Sequence, residues 1–205
     1  MCGIVGLFLK DPKLEPQLGA MLTDMLITMT DRGPDSAGIA IYGRPEKGKA
    51  KLTVQSANPD ADFASLADDL GKAVAGKVTG TVKDTHMVLE VPEDRLEAAR
   101  HALKTLRPAA KVMSAGEGIE IYKEVGLPKD VAARFEVARM SGTHGIGHTR
   151  MATESAVTTM GAHPFSTGSD QCLVHNGSLS NHNSVRRVLR QAGMTFETEN
   201  DTEVA

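Results

Sequence analysis

The sequence of 205 residues contains no tryptophan, only two cysteines, and 3% aromatic residues in all. A hydrophobic core built from this composition must rest on leucine, isoleucine, valine, methionine and alanine. The two cysteines, Cys2 and Cys172, are too few for a disulfide framework. We therefore expect a reducing environment and a cytoplasmic protein.

Long apolar runs and a strong charge of one sign are lacking too. The apolar runs stay far below the roughly 18 residues that a membrane-spanning helix needs, and the N-terminus has no signal-peptide pattern. The net charge of −3 gives no reason to expect nucleic acid or a membrane as a partner. A hydrophobic content of 40% and a charged content of 24% are typical of a soluble globular protein of one domain, or of one domain with an insert.

Hydrophobic periodicity predicts an alternation of strands and helices. The predicted strands are 3–9, 36–42, 86–91, 118–125 and 171–174, and the predicted helices are 15–30, 60–70, a helix between Pro92 and Pro108, and 181–191. The charged stretch RPEKGKAK after Gly43 predicts a surface hairpin or linker. Residues 44–140 carry no recognisable catalytic motif, so we expect a small α+β insert there, between core segments 1–43 and 141–205.

The chain begins MCGIVG, which places Cys2 directly after the initiator methionine. If Met1 is removed, Cys2 carries a thiol and a free α-amine, whose pKa of about 7.7–8.0 suits a general base near neutral pH. A thiol nucleophile with the terminal amine as its base is an established route to covalent catalysis. The alternative is that Met-Cys only precedes a buried strand.

Three other positions offer groups that acyl transfer to a thiol would need. Asn176-Gly177 can supply a side-chain amide and a backbone N–H to an oxyanion, although the same dipeptide is common in hairpin turns. Arg150 in GHTR suits a substrate carboxylate, although a lone arginine more often forms a surface salt bridge. Asp201 is one of several carboxylates available for a substrate ammonium group.

Six motifs, MCGIVG, RGPDSAGIA, GHTRMAT, AHPF, HNG and NDTE, occur in the order and spacing of the class II glutamine amidotransferases. These enzymes are N-terminal nucleophile hydrolases, and the motifs lie in 1–43 and 141–205, about half of the chain. The resemblance implies an α+β fold, a four-layer αββα sandwich of antiparallel sheets, here with the 44–140 insert. It also implies an enzyme that hydrolyses glutamine to glutamate and ammonia.

The resemblance implies catalytic roles for three residues. Cys2 would attack the side-chain amide of glutamine, release ammonia and hold a glutamyl thioester until water hydrolyses it. The α-amine of Cys2 would carry the proton. Asn176 and Gly177 would form the oxyanion hole.

It implies substrate-binding roles for five more. Arg150 would hold the α-carboxylate of glutamine, and Asp201 its α-amino group. Arg32 in the RGPD turn would support the surroundings of the nucleophile. The backbone from Met151 to Thr153 would line the glutamine pocket.

The seven histidines show no metal-ligand spacing, so we expect no metal and no cofactor. Because the α-amine already supplies a base, His148 is expected to be structural. His163 and His175 are expected to orient neighbouring groups or to pack in the core.

The sequence departs from the sugar-phosphate transaminases of this family. Those enzymes often have an aromatic residue where Met151 stands and a histidine where Glu154 stands, which argues against that branch. Family domains normally continue with further strands beyond the NDTE motif. We therefore expect either a fragment that ends at Ala205 or a sandwich completed in an unusual way.

The chain shows no motif of an ammonia-using synthase: no Ser-Gly-Gly-x-Asp-Ser loop, no phosphoribosyl-binding signature and no sugar-isomerase domain. The ammonia acceptor should then lie on another chain or in further sequence. The long insert resembles the stand-alone amidotransferase subunit of glutamate-synthase-like complexes, nearest that of N-methylglutamate synthase (methylamine–glutamate N-methyltransferase). That resemblance implies a flavin-binding, glutamate-synthase-like partner. Two alternatives stay open: a catalytically silent glutamine-sensing or assembly subunit, and a self-processing peptidase or amidase.

Overall fold

The computed structural model describes residues 2–152 and 156–205. The strands in this part of the chain are β1 Gly3–Phe8, β2 Ser36–Tyr42, β3 Lys49–Gln55, β4 Thr79–Lys83, β5 His86–Pro92, β6 Lys111–Gly116, β7 Ile119–Val125, β8 His144–Arg150, β9 Phe165–Gly168 and β10 Gln171–Leu173. The α-helices are α1 Leu18–Thr28, α2 Pro59–Asp62, α3 Leu66–Val74, α4 Leu96–Leu106, α5 Pro128–Arg134 and α6 His182–Gln191. Short 3-10 helices cover Pro12–Gln17, Thr30–Arg32, Glu93–Arg95, Val137–Arg139 and Asp201–Glu203.

The first sheet has the strand order β1-β8-β2-β7, and every neighbouring pair is antiparallel. Helices α1 and α5 cover one face, where Leu22 and Leu26 are fully buried. Strand β8 has glycine under this helix: a Cβ at Gly145 or Gly147 would lie 2.9 Å from the side chain of Leu22 or Leu26. The missing side chains let α1 approach β8 closely, which fixes the strand that ends at Arg150.

The hairpin β9–β10 lies against the opposite face of the first sheet. The Tyr42 hydroxyl of β2 is 3.4 Å from the Cys172 sulfur of β10, and the Lys123 ammonium of β7 lies 4.4 Å from the centre of the Phe165 ring of β9. The layers of this region are therefore helix, antiparallel sheet and antiparallel hairpin, as an α+β sandwich requires.

The second sheet has the strand order β4-β5-β3-β6 and is also antiparallel. Its elements follow one another as strand, helices, two strands, helix and strand, which is the ferredoxin-like βαββαβ arrangement. Helices α3 and α4 cover one face and bury an aliphatic core that includes Leu52, Leu70, Leu89 and Leu103.

The predicted insert 44–140 contains more than this second sheet. Strand β7 pairs with β2 of the first sheet, and Phe135, just after α5, is buried in the first core. His86 of β5 packs its ring edge-on against Phe135, with ring centres 4.7 Å apart. The two sheets thus share a packed junction, and the division of the chain at residues 44 and 140 stays a prediction.

Two helices differ from the sequence predictions for local reasons. The segment predicted as one helix over 60–70 forms α2 and α3, because Ser65 adopts a left-handed conformation with φ of 52° that no continuous helix allows. The segment predicted over 15–30 begins as the 3-10 helix Pro12–Gln17, in which Pro16 has no N–H to donate. The stretch predicted as a surface linker already contains the start of β3, at Lys49.

In the described ranges, no helix is both long enough and apolar enough to cross a membrane.

Candidate active site

A cleft of about 460 Å³ opens where the start of β1, the end of β8 and the C-terminal segment meet. Six of the eight residues predicted for the site line it. The lining residues are Cys2, Arg150, Met151, His163, His175, Asn176, Gly177, Ser178, His182, Asn183, Glu199, Asn200, Asp201 and Thr202.

Cys2 sits directly before the edge strand β1, beside the end of β8. Its sulfur lies 3.9 Å from the carbonyl oxygen of Met151. The Arg32 guanidinium donates a hydrogen bond of 3.2 Å to the Cys2 carbonyl, so this predicted residue contacts the backbone of Cys2 and is not part of the cleft lining. At Gly3 a Cβ would come within 2.8 Å of the Thr149 hydroxyl, so glycine lets the strand sit tightly at this point.

Arg150 ends β8 with only 5% of its surface exposed. Its backbone carbonyl accepts the N–H of Asp35 at 3.1 Å, and the Asp35 carboxylate accepts the N–H of Ala152 at 2.8 Å. The RGPD turn therefore fixes the backbone on both sides of Arg150. The guanidinium of Arg150 also donates a hydrogen bond of 3.2 Å to the carbonyl of Ala156. The predicted pocket residue Thr153 lies outside the described residues.

The Asn176-Gly177 pair follows β10 and is held through His175. The carbonyl of His175 accepts a hydrogen bond of 2.9 Å from Nε2 of His148. The His175 ring lies over the glycine, because a Cβ at Gly177 would be 2.7 Å from its Nε2. A side chain at position 177 would therefore have to displace this ring.

Asp201 begins the 3-10 helix Asp201–Glu203 and faces the same loop. Its carboxylate accepts the N–H of Leu179 at 2.7 Å and lies 3.8 Å from Nδ1 of His175. The neighbouring Asn200 is anchored on both sides: its amide donates to the Gly161 carbonyl at 2.9 Å, and its carbonyl accepts from Arg186 of α6 at 2.8 Å. The carboxylate is therefore held by surrounding backbone rather than by a flexible tail.

Comparisons with known proteins agree with this geometry. The family model of the glutamine amidotransferase domain matches residues 135–205. The chain is 68% identical to the glutamine amidotransferase-like protein GlxB of Rhizobium meliloti, over 100% of this chain and 68% of that protein. It is 34% identical to a putative glutamine amidotransferase of Methanothermobacter thermautotrophicus, over 99% of this chain and 70% of that protein. The chain belongs to the class II glutamine amidotransferases.

Two further matches cover shorter parts of much longer proteins. A glutamine–fructose-6-phosphate aminotransferase of Aliivibrio fischeri is 40% identical over 93 residues, which are 45% of this amidotransferase and 15% of that enzyme. A solved structure, described as the allosteric regulatory enzyme of purine biosynthesis, matches with a TM-score of 0.54 and 18% identity, over 98% of this chain and 28% of that one. The structural match concerns the fold alone, and it confirms the predicted α+β sandwich of antiparallel sheets.

The amidotransferase buries two uncharged histidines at its cleft. The rings of His148 and His163 stack with centres 4.2 Å apart, and burial lowers the pKa of His148 to about 4 and that of His163 to about 2. Both rings are therefore neutral at physiological pH. Burial also lowers the pKa of Lys123 to about 7, while its ammonium donates to the carbonyls of Met160 and Ala162 at 3.0 and 2.8 Å.

Sequence reasoning missed part of the lining of the amidotransferase cleft. Asn200 and Thr202 flank Asp201 in the NDTE motif, so their place in that motif was a signal that they share its surroundings. His182 and Asn183 of α6 carried no such signal, because the helix pattern alone does not say which end meets the cleft. In the described ranges, no group of three or more histidine, cysteine, aspartate or glutamate side chains is arranged to hold a metal ion.

Proposed function

We propose that this chain hydrolyses glutamine through a thioester on Cys2 and passes the ammonia to a partner synthase. The observation that carries the proposal is the cleft itself. It brings a nucleophile, Cys2, together with a fixed cation at Arg150, a fixed carboxylate at Asp201, and the donor pair Asn176-Gly177. Those four features are what attack on the side-chain amide of a free amino acid requires.

The reaction begins with the N-terminus of the mature chain. Removal of Met1 exposes the α-amine of Cys2, which takes the proton of the thiol as the sulfur bonds to the amide carbon. The oxyanion accepts hydrogen bonds from the Asn176 side chain and the Gly177 N–H. When the C–N bond breaks, the proton on the amine passes to the leaving nitrogen, which departs as ammonia. Water then attacks the thioester, and glutamate leaves with the thiol restored.

The backbone of glutamine is recognised by two opposite charges. The guanidinium of Arg150 binds the α-carboxylate through a bidentate pair of hydrogen bonds, and Asp201 binds the α-ammonium. A peptide-bonded glutamine presents neither free charge, so the pair favours the free amino acid over a peptide. This charge pair supports the amidotransferase over a self-processing peptidase.

For the complex as a whole, we propose N-methylglutamate synthase. Two features support this choice: the long stretch between the RGPD turn and β8, which holds a βαββαβ unit, and the lack of any synthase motif in the sequence. Purification through a C-terminal tag from the native host should bring down a partner with the visible absorbance of a flavin. Recovery of the tagged chain alone would contradict a stable synthase complex.

The first experiment is an intact-mass measurement after treatment with a glutamine-like diazo-ketone that alkylates nucleophilic cysteines. We expect a chain without Met1 that carries one adduct, mapped to Cys2. The matched control is Cys172→Ala, which should still be labelled fully at Cys2. Cys172 should not react in the wild type, because burial raises the pKa of its thiol and disfavours the nucleophilic thiolate form. Cys2→Ala should remove both the adduct and glutaminase activity, by more than about a thousandfold.

Two results would contradict the hydrolytic mechanism. One is a chain without Met1 that releases no ammonia in its native complex. The other is an adduct on Cys172 in place of Cys2. Glutamine binding and partner assembly that persist in an inactive wild-type complex would instead support the sensing or assembly subunit.

A further inference from the structure

The hydroxyl of Thr202 joins two histidines that come from separate segments. Thr202 is 3% exposed, and its oxygen lies 2.8 Å from Nε2 of His163 and 3.2 Å from Nδ1 of His175. A hydroxyl has one proton to donate and lone pairs to accept. It can therefore donate to one ring and accept from the other.

The direction of these two hydrogen bonds follows from the surroundings of the other ring nitrogen of His163, Nδ1. Its Nδ1 is buried and has no hydrogen-bond partner within the described part of the chain. A buried N–H without an acceptor is rarer in proteins than a buried lone pair, so the proton of this neutral ring belongs on Nε2. His163 then donates to Thr202, and Thr202 donates to Nδ1 of His175. The other ring nitrogen of His175, Nε2, packs against Gly177.

The same histidine is held at its backbone from the opposite side. Its carbonyl accepts from Nε2 of His148, so both the ring and the main chain of His175 are fixed immediately before Asn176-Gly177. The residue before Thr202 is Asp201, which accepts the N–H of Leu179 just beyond that pair. One short helical turn therefore contacts the donor loop before and after the two donors.

We propose that Thr202 is a positioning residue for glutamine hydrolysis, which orients His175 and through it the oxyanion donors Asn176 and Gly177. The inference rests on the proposed glutaminase function. Under this proposal, two neighbouring residues of the 3-10 helix Asp201–Glu203 have different roles. Asp201 binds the substrate, and Thr202 aligns the groups that act only in the transition state. A loss of alignment lowers kcat, whereas a loss of substrate binding raises KM.

The test compares Thr202→Val with Thr202→Ser in the chain purified with its bound partners from the native host. Valine keeps the shape and removes the hydroxyl, so we expect kcat to fall about tenfold, the rate equivalent of one lost hydrogen bond, with KM within about twofold. Serine keeps the hydroxyl and should restore kcat to within about twofold of wild type. Thr202→Ala serves the same comparison if the valine variant does not fold.

A second readout separates alignment from general damage. Labelling of Cys2 by iodoacetamide needs neither oxyanion donors nor the substrate carboxylate, so its rate should match wild type in all three variants. Wild-type kcat in Thr202→Val, or a serine variant as slow as the valine variant, would overturn the inference alone. A wild-type complex with no glutaminase activity would overturn the proposed function beneath it.

Discussion

The two four-stranded sheets of this protein are built alike and filled differently. Each is antiparallel and carries helices on one face. The first sheet buries five charged or titratable side chains along its described strands: Tyr122, Lys123, Glu124, His148 and Arg150. Among described residues of the second sheet, His86 is the one buried titratable side chain, and the core packed on this sheet is apolar.

The difference between the two sheets lies in how many charged side chains each one buries. Burying a charge costs free energy unless the charged group is paired or hydrogen-bonded, so each buried charge of the first sheet needs a partner. In the first sheet, backbone carbonyls stabilise two of these charges. Lys123 donates to the carbonyls of Met160 and Ala162, and Arg150 donates to the carbonyl of Ala156. The second sheet, with the same architecture, is packed mainly with apolar side chains.

The largest effect in this comparison should come from two matched leucines. Leu22 packs under β8 in the first sheet and Leu52 lies in the centre of the second, and both are fully buried. Either Leu→Ala change should lower the free energy of unfolding by about 3 kcal/mol. Only Leu22→Ala should also lower the glutaminase kcat per folded molecule severalfold, because it loosens the strand that ends at Arg150. Guanidinium unfolding and ammonia release measure the two effects.

The expected difference between the two sheets is contradicted if Leu52→Ala slows glutamine hydrolysis as much as Leu22→Ala does. The second sheet would then act on the site rather than only pack beside it. The junction of His86 and Phe135 would be the first place to look for that coupling.

A smaller effect should distinguish two carboxylates of the cleft. Asp201→Asn keeps an oxygen for the Leu179 N–H but loses the charge that we propose binds the ammonium of glutamine, so KM should rise about tenfold. Glu199 also lines the cleft, but its side chain is 73% exposed and pairs with Arg186. Glu199→Gln should therefore leave KM within about twofold. Steady-state ammonia release checks both, and equal KM values for the two variants would remove Asp201 from substrate binding.

The smallest effect concerns the buried histidine of the second sheet. Burial lowers the pKa of His86 to about 3, against about 6.5 in an unfolded chain. Between these values the unfolded state binds the extra proton, so stability falls as pH falls from 6.5 toward 3. His86→Phe should reduce that slope, by less than about 1.4 kcal/mol per pH unit, and leave the pH profile of glutaminase unchanged. Unfolding curves at pH 7, 6 and 5 measure it, and an unchanged slope would contradict the assignment.

Much of the framework could be predicted where local pattern and burial coincide. Strand β2 is an uninterrupted small and apolar run, and the structure buries nearly all of it. Strand β6, with the sequence KVMSAG, has neither a steady alternation nor a continuous apolar run, and it was not predicted. Its place in the sheet is set by pairing with β3, at a bulge that no local pattern shows.

The site was predictable through its motifs, and only in part beyond them. The RGPD and GHTR motifs indicated Arg32 and Arg150: Arg32 donates to the Cys2 carbonyl, and Arg150 donates to the carbonyl of Ala156. The hydroxyl of Thr202 that joins His163 to His175 connects residues 39 and 27 positions apart. Such a hydrogen bond depends on how three loops meet in space, and a single sequence carries no signal for it.

Cys2 precedes β1, which lies at the edge of the first sheet. If its α-amine is the base, any residue that stays in front of it silences the enzyme, however well the fold tolerates the extension. Unless cleavage exposes Cys2, this domain can be joined to a synthase in one order only, with the amidotransferase first. An N-terminal affinity tag would yield a correctly folded and inert protein for the same reason.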